Sequence, residues 1–185
     1  MSPGAFPATV AKADGPAEKP KRTYIGQGEY AIDGGNAVIV TLLGSCVSAC
    51  IWDPDRCIGG MNHVLFTDDN VNAAEVFGHG VNGMELLING LLRLGADRKN
   101  LRAKIFGGAK MISRLSDEGA RNGEFVIGYL ANEGIPHLGG DLGGHRARRI
   151  EFWPGSGRAR LKYVEQEVKV RHLSEQRQTN AVELF

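Results

Sequence analysis

The sequence predicts one α/β domain, at about residues 23–165, between two polar tails. Three observations carry this prediction. Short apolar runs rich in β-branched residues recur along this part of the chain, and two segments carry apolar residues at helical spacing. Glycine contributes 26 of 185 residues, about twice the average share of roughly 7 %. Because glycine permits positive φ and close backbone approach, this excess indicates many tight connections between short elements.

The clearest strand signal is residues 37–43, a continuous apolar run that contains Val38, Ile39 and Val40. Residues 46–52, which end at Asp53-Pro54-Asp55, predict a second buried strand because of their length and β-branching. The same kind of signal predicts further extended segments at 24–26, 29–32, 57–66 and 101–106, and a hairpin of 147–152 and 158–164 around a turn at 153–157.

Two helices are predicted. The first runs from Gly80 to Leu94, where apolar residues recur at helical spacing, and Gly95 stands where a glycine ends a helix. The second runs from Asn122 to Glu133, with Asn122 as its N-cap and the following Gly-Ile-Pro as its stop. No internal repeat accompanies these elements.

The two ends differ from the middle in composition. Residues 1–22 contain four prolines among alanines and lysines without periodicity, which predicts a disordered leader, and residues 166–185 form a polar C-terminal tail. The formal net charge of +1 argues against a sequence-independent nucleic-acid binder or an anionic-membrane binder. With no apolar run long enough for a bilayer and only three cysteines, we expect a reduced, cytoplasmic setting without a disulfide framework.

Cys46 and His63 are the candidate reactive pair. Cys46 follows Gly44-Ser45 at the junction of two apolar runs, where backbone N–H groups could converge on an oxyanion, so the amides of Ser45 and Cys46 are the candidate donors. A cysteine nucleophile attacks as a thiolate and needs a base, and His63 lies 17 residues later, beyond a double glycine. If the two strands are neighbours, the side chains can meet. Thr41 could orient the imidazole through its hydroxyl.

Two other interpretations compete with a catalytic pair. His63 could be a core histidine bonded to a backbone carbonyl, because such histidines are common. Cys46 could be unreactive, because most buried cysteines are inert. Cys46, Cys50, Cys57 and His63 could instead bind zinc. The zinc site is disfavoured, because Cys46 and Cys50 on one strand lie about 13 Å apart on the same face.

The residues around this pair resemble a known family. Thr41-Leu42-Leu43-Gly44-Ser45-Cys46 is similar to the nucleophile motif of the bacterial chemoreceptor glutamine deamidases, the CheD family, and Gly59-Gly60-Met61-Asn62-His63 is similar to its second signature. The resemblance covers about residues 23–165. It continues through motifs at 103–109, 120–122, 134–136 and 141–144.

This resemblance implies a layered α/β/β sandwich, similar to the catalytic domain of cytotoxic-necrotizing-factor toxins. It implies a triad with Cys46 as nucleophile, His63 as base and Thr41 as orienting group. The implied substrates are the cytoplasmic helices of chemoreceptors, with a CheC-type phosphatase as a possible second partner. The implied reaction is the hydrolysis of glutamine amides through a thioester, without a cofactor. A glutamyl methyl ester would fit the same chemistry.

A rival hypothesis from another class is an adaptor that binds chemoreceptors or the phosphatase without catalysis. The presence of all three triad residue types favours the enzyme. The remaining candidates have plainer interpretations: His79, His137 and His145 are expected at the surface. The basic residues Arg146, Arg148 and Arg149 suit a solvated strand edge, or a surface that faces acidic helices.

Overall fold

The computed structural model describes residues 19–65, 73–111 and 118–164, and it describes side chains in the first helix only from residue 82. Most of the predicted leader, the predicted C-terminal tail and the side chain of His79 lie outside these described residues. Within them, no helix is long and apolar enough to cross a membrane.

The described residues form two sheets, two α-helices and a short 3-10 helix at Arg98–Asn100. The first sheet contains, in spatial order, β1 (Lys21–Tyr24), β3 (Ala37–Leu43), β8 (Arg148–Trp153) and β9 (Arg158–Tyr163). The second contains β2 (Tyr30–Gly34), β5 (Ile58–Asn62), β4 (Val47–Asp53), β6 (Arg102–Gly107) and β7 (His137–Leu142). The helices are α1 (Ala73–Arg93) and α2 (Glu118–Asn132). The predicted α/β domain is confirmed.

The two faces of β4 divide the core into two layers. Val47, Ala49 and Ile51 on one face pack with apolar side chains of both helices. Cys50 and Trp52 on the other face pack against β3 and β8 of the first sheet. Because successive side chains of a strand point to opposite faces, one fully buried strand separates a helix layer from an inter-sheet layer. The order of layers is therefore helices, five-stranded sheet, four-stranded sheet.

Both helices end close to the glycine that predicts their C-terminus, Gly95 for α1 and Gly134 for α2. The N–H groups of Gly95 and Ala96 donate to the carbonyls of Leu92 and Leu91, and Gly95 has a φ of +96°. The same pattern closes α2 at Gly134. This pairing of the last carbonyls is the Schellman motif, which favours glycine because of the left-handed conformation.

The helix starts were predicted wrongly. Helix α1 begins at Ala73 and α2 at Glu118, before the predicted Gly80 and Asn122. Asn122 is therefore not an N-cap: it lies inside α2, fully buried, and its amide donates to another part of the chain. A tertiary hydrogen bond of this kind outweighs the weak preference of asparagine for helix ends.

The strands agree with prediction in most places. Strand β3 spans the predicted residues, and the predicted C-terminal hairpin is present as β8 and β9. Strand β7 was not predicted, because its Gly139-Gly140 pair is typical of a turn. The strand nevertheless pairs in parallel with β6. Strand β1 begins at Lys21, so the last two residues of the predicted leader belong to a strand that pairs with β3.

Candidate functional site

Cys46 lies in a short connection between β3 and β4, and hydrogen bonds hold all three carbonyls of this connection. The Gly44 carbonyl accepts from the N–H of Ala109 at 2.8 Å, and the Cys46 carbonyl accepts from the N–H of Gly108 at 2.8 Å. The Ser45 carbonyl accepts from the side-chain amide of Asn122 at 3.0 Å. Among the described residues, no backbone carbonyl outside the strand ladders accepts from the N–H groups of Ser45 and Cys46.

Gly107 explains why this connection can be held so tightly. It is the last residue of β6 and has a φ of +115°, and a Cβ atom there would overlap the Cys46 carbonyl oxygen. A non-glycine residue would therefore be strained in backbone conformation and would push the Cys46 backbone away. The double glycine at 107–108 lets the end of β6 touch the connection that carries the candidate nucleophile.

His63 follows β5 and faces the same layer as Cys46. The antiparallel register that pairs Cys50 with Met61 continues through the bridge between Val47 and Val64, which places His63 opposite Ser48. Cys46 is two residues from Ser48, so it is a diagonal neighbour of His63 on one face. Such neighbours lie about 7–8 Å apart between backbone positions, within reach of an imidazole and a thiol.

Thr41 approaches His63 from the opposite sheet. It points inward from β3, between the core residues Ile39 and Leu43, and is buried. Its Oγ1 atom lies 2.8 Å from Nδ1 of His63 and 2.8 Å from the carbonyl oxygen of Ile25. Because the carbonyl can only accept, the threonine hydroxyl donates to Ile25 and accepts from the Nδ1–H group. This assigns the tautomer and leaves Nε2 with its lone pair free.

The Nε2 atom is buried and has no hydrogen-bond partner among the described residues. His63 as a whole is 6 % exposed, so this lone pair is a polar group withheld from water. The Cys46 thiol, which is partly exposed, does not hydrogen-bond to it in the free protein. An unpaired buried acceptor is costly and is characteristic of functional sites.

Burial controls the charge of both groups. Desolvation lowers the pKa of His63 below its ordinary value, against smaller opposing effects from the Ile25 carbonyl and Glu29. Desolvation also raises the pKa of the Cys46 thiol, and its own backbone N–H only partly offsets this. Both shifts favour the neutral forms. Burial thus favours an imidazole that can accept a proton and a thiol that keeps its own.

A cleft of about 500 Å³ opens beside His63. Residues 27–30 and 62–65 form one side, and the α1 residues Asn82, Gly83 and Leu86 form the other. Cys46 is not among its described lining residues. The lining combines polar side chains, among them Gln27, Glu29 and Asn82, with the apolar side chains of Tyr30 and Leu86.

The other two cysteines occupy different environments. Cys50 is fully buried in the inter-sheet core, and desolvation raises the pKa of its thiol strongly. Cys57 is exposed in the turn between β4 and β5. Within residues 19–65, 73–111 and 118–164, no three His, Cys, Asp or Glu side chains are grouped to bind a metal ion.

Arg148 corrects one prediction about the basic run. It is 1 % exposed, although it was expected on a solvated strand edge. Its guanidinium group pairs with the Asp141 carboxylate and donates to the carbonyls of Asp141, Gly143 and Arg146. Alternation along β8 points Arg148 inward while Arg149 points outward, which the charge pattern alone could not reveal. His137 and His145 lie at the surface as expected.

The supports of the Cys46 connection were not predicted from the sequence. Asn122, Gly108 and Ala109 hold its carbonyls, and Gly143-Gly144 hold the glycine loop in turn, through hydrogen bonds to Gly107 and Lys110. In the sequence these residues stand out as paired glycines and as members of the family motifs at 103–109, 120–122 and 141–144, and neither signal says what they contact.

The structure holds a cysteine in the β3–β4 connection, and in the same layer a histidine whose Nε2 has no partner among the described residues and a threonine bonded to that histidine. Thiol-dependent hydrolases use groups of these types. A protein-family sequence model described as CheD chemotactic sensory transduction matches residues 66–163. The chain belongs to the CheD family.

Curated relatives extend the match over most of the chain. A protein of Rhizobium leguminosarum bv. trifolii (strain WSM2304), named probable chemoreceptor glutamine deamidase CheD, is 51 % identical over 144 residues, which are 76 % of this chain and 78 % of the relative. A protein of the same name from Caulobacter sp. (strain K31) is 47 % identical over 157 residues, 83 % of this chain and 82 % of the relative. Because the alignment with the Caulobacter protein covers 83 % of this chain, it must include positions 41, 46 and 63.

Two solved structures are similar to this chain at low sequence identity. A Neisseria meningitidis protein of the DUF152 family has a TM-score of 0.47 at 9 % identity and covers 74 % of this chain and 76 % of its own. The Bacillus licheniformis hypothetical protein YfiH has a TM-score of 0.41 at 15 % identity. The match covers 60 % of this chain and 49 % of YfiH.

Proposed function

We propose that this protein hydrolyses the side-chain amides of specific glutamines on the cytoplasmic helices of chemoreceptors, with Cys46 as nucleophile, His63 as base and Thr41 as orienting residue. The observation that carries the proposal is the buried Nε2 of His63, whose tautomer is set by Thr41 and whose lone pair has no partner among the described residues. The names of the curated relatives support the reaction and its substrate class.

The first half of the reaction forms a thioester. As Nε2 of His63 takes the thiol proton, Sγ of Cys46 attacks the amide carbon, and the carbonyl electron pair moves onto oxygen. The N–H groups of Ser45 and Cys46 donate to this oxyanion. When it collapses, the C–N bond breaks and the imidazolium protonates the nitrogen, which leaves as ammonia.

The second half regenerates the enzyme. Water attacks the thioester carbon while His63 accepts its proton, and collapse of the second oxyanion expels the Cys46 thiolate, which regains a proton from the imidazolium. The product is a glutamate, so each event adds one negative charge to the receptor. The protein's own residues supply every proton transfer. A glutamyl methyl ester would follow the same path, with methanol as leaving group.

A direct test measures deamidation of a purified receptor cytoplasmic fragment by mass spectrometry, which detects the replacement of –NH₂ by –OH. We expect wild-type protein to modify glutamines and Cys46→Ser to modify none. Cys50→Ala and Cys57→Ala are matched controls, because Cys50 is fully buried and Cys57 lies in the turn between β4 and β5, and they should retain most activity.

The outcome also separates the enzyme from its rival. If Cys46→Ser deamidates as fast as wild type, the nucleophile is wrong. If no variant, wild type included, modifies the fragment yet all bind it, the chain is an adaptor. A CheC-type phosphatase, the second partner that the family resemblance implies, can be added to the same assay to measure its effect on the rate.

A further inference from the structure

Asn122 lies beside the candidate nucleophile without facing the cleft. It is fully buried in the first half of α2, and its Nδ2 atom donates to the Ser45 carbonyl oxygen at 3.0 Å. The orientation of its amide is unambiguous at this contact, because only the nitrogen end can donate to a carbonyl. Gly119, one turn earlier, packs against Gly108, which brings α2 close enough for this contact.

The hydrogen bond fixes a peptide plane as well as a carbonyl. In a trans peptide the C=O of one residue and the N–H of the next point in opposite directions. The Ser45 carbonyl points toward α2, which belongs to the helix layer through Val126 and Leu130. The Cys46 N–H therefore points away from the helices, toward the inter-sheet layer where the Cys46 side chain packs.

The same N–H group also lowers the pKa of the Cys46 thiol, against the larger effect of burial, which raises it. A carbonyl carbon attacked by Sγ would hold its oxygen beside this N–H group. The donor is then aligned before the oxyanion forms, which is what makes such donors effective.

We propose that Asn122 is a positioning residue that aims the Cys46 N–H at the oxyanion by holding the Ser45 carbonyl. This deepens the proposed function, since it assumes that Cys46 forms tetrahedral intermediates, but it assigns Asn122 no contact with substrate. It predicts that Asn122 affects acyl transfer and leaves the intrinsic reactivity of the thiol almost unchanged.

The test compares two reactions of Cys46 that differ in one respect. Acylation by p-nitrophenyl acetate passes through an oxyanion, whereas alkylation by iodoacetamide does not. Both rates are measured in a Cys57→Ala background, which removes the exposed thiol. We expect Asn122→Ala to slow acylation roughly 10-fold to 10²-fold, less than the full loss of one donor, and to change alkylation by less than about 3-fold.

Val126→Ala is the matched control. Val126 is a fully buried residue of the same helix that packs in the helix layer. Its truncation should lower the melting temperature at least as much as Asn122→Ala while leaving both rates near wild type. If Val126→Ala slows acylation as much as Asn122→Ala, or if Asn122→Ala slows both reactions equally, Asn122 has only a structural role and the proposal is wrong.

Asn122→Asp adds a signature that a structural role would not give. The ionised carboxylate repels the Ser45 carbonyl, whereas the protonated acid donates to it. The acylation rate of Asn122→Asp relative to wild type should therefore rise as pH falls, and a flat ratio would count against the proposal. Both readouts use a simple ester, so they stand even if receptor deamidation, and with it the proposed function, fails.

Discussion

The Oγ1 atom of Thr41 lies 2.8 Å from the Nδ1 atom of His63, although the two residues belong to facing sheets. The same hydroxyl donates to the Ile25 carbonyl, so the contact fixes both the ring orientation and the tautomer of His63. One threonine thereby determines which imidazole nitrogen carries the proton and which keeps its lone pair.

The first prediction separates base from orienting residue. His63→Ala should lower the deamidation rate roughly 10²-fold to 10⁴-fold, the usual contribution of a positioned general base. Thr41→Ala should cost far less, since it removes one hydrogen bond worth about 1 kcal/mol net. Thr41→Ser should restore most of that loss because it keeps the hydroxyl. Equal rates for His63→Ala and wild type, measured by mass spectrometry of the receptor fragment, would exclude His63 as the base.

The second prediction concerns pH. Burial lowers the pKa of His63, so Nε2 stays unprotonated through neutral pH. As pH falls through that lowered pKa, the base is protonated and kcat/KM declines. We expect the acid limb of the profile to lie below pH 6.5, the ordinary value for histidine. An acid limb above 6.5 would contradict the structure, and His63→Ala should abolish the limb.

The same shift affects stability in a defined direction. The unfolded chain binds a proton at His63 more readily than the folded protein does. The stability contributed by the neutral imidazole is therefore complete above the unfolded pKa and is lost as pH falls toward the folded one. The denaturation midpoint of the wild type should decrease as pH falls below about 6.5. The midpoint of His63→Ala should decrease less over the same interval.

The third prediction tests the glycine that touches the Cys46 backbone. Gly107→Ala should destabilise the fold by at least about 2 kcal/mol, since the new Cβ overlaps the Cys46 carbonyl and φ is positive. Gly35→Ala is the control, with a φ of +55° and open space around its Cβ position, and it should cost only about 1 kcal/mol. Chemical denaturation measures both. Equal costs would show that the contact with Cys46 does not constrain residue 107.

The fourth prediction uses two adjacent arginines of β8. Arg148→Ala removes a buried cation from the Asp141 carboxylate and three carbonyls, so the free energy of unfolding should fall by about 3 kcal/mol. Arg149→Ala removes an exposed side chain whose ion pair with Glu151 spans 3.8 Å, and should change stability by less than about 0.5 kcal/mol. Similar losses in the two variants would contradict the inward orientation of Arg148.

The fifth prediction divides the N-terminal region at the start of β1. Deletion of residues 1–18 should leave the melting temperature nearly unchanged, because their composition offers little apolar surface to offset ordering. Deletion of 1–24 also removes β1, which pairs with β3 from Lys21 to Tyr24, and should lower the melting temperature by several degrees. A large fall after the shorter deletion would show that residues 1–18 contribute to the domain.

The sequence by itself determined the elements whose signals are local. The apolar run at 37–43 predicts β3, and glycine ends both helices, because backbone conformation and side-chain alternation depend on near neighbours. Cys46 and His63 could also be identified, since two short antiparallel strands joined by one turn bring their outer ends together whatever else surrounds them.

Only the tertiary structure decided which distant groups meet. The packing of two sheets brings Thr41 to His63, and the packing of α2 on the five-stranded sheet brings Asn122 to the Ser45 carbonyl. Alternation on β8 buries Arg148 and exposes Arg149. These contacts join residues far apart in the chain, and they depend on the order and spacing of layers. Local periodicity encodes which face of an element is buried, but not which residue will cover it.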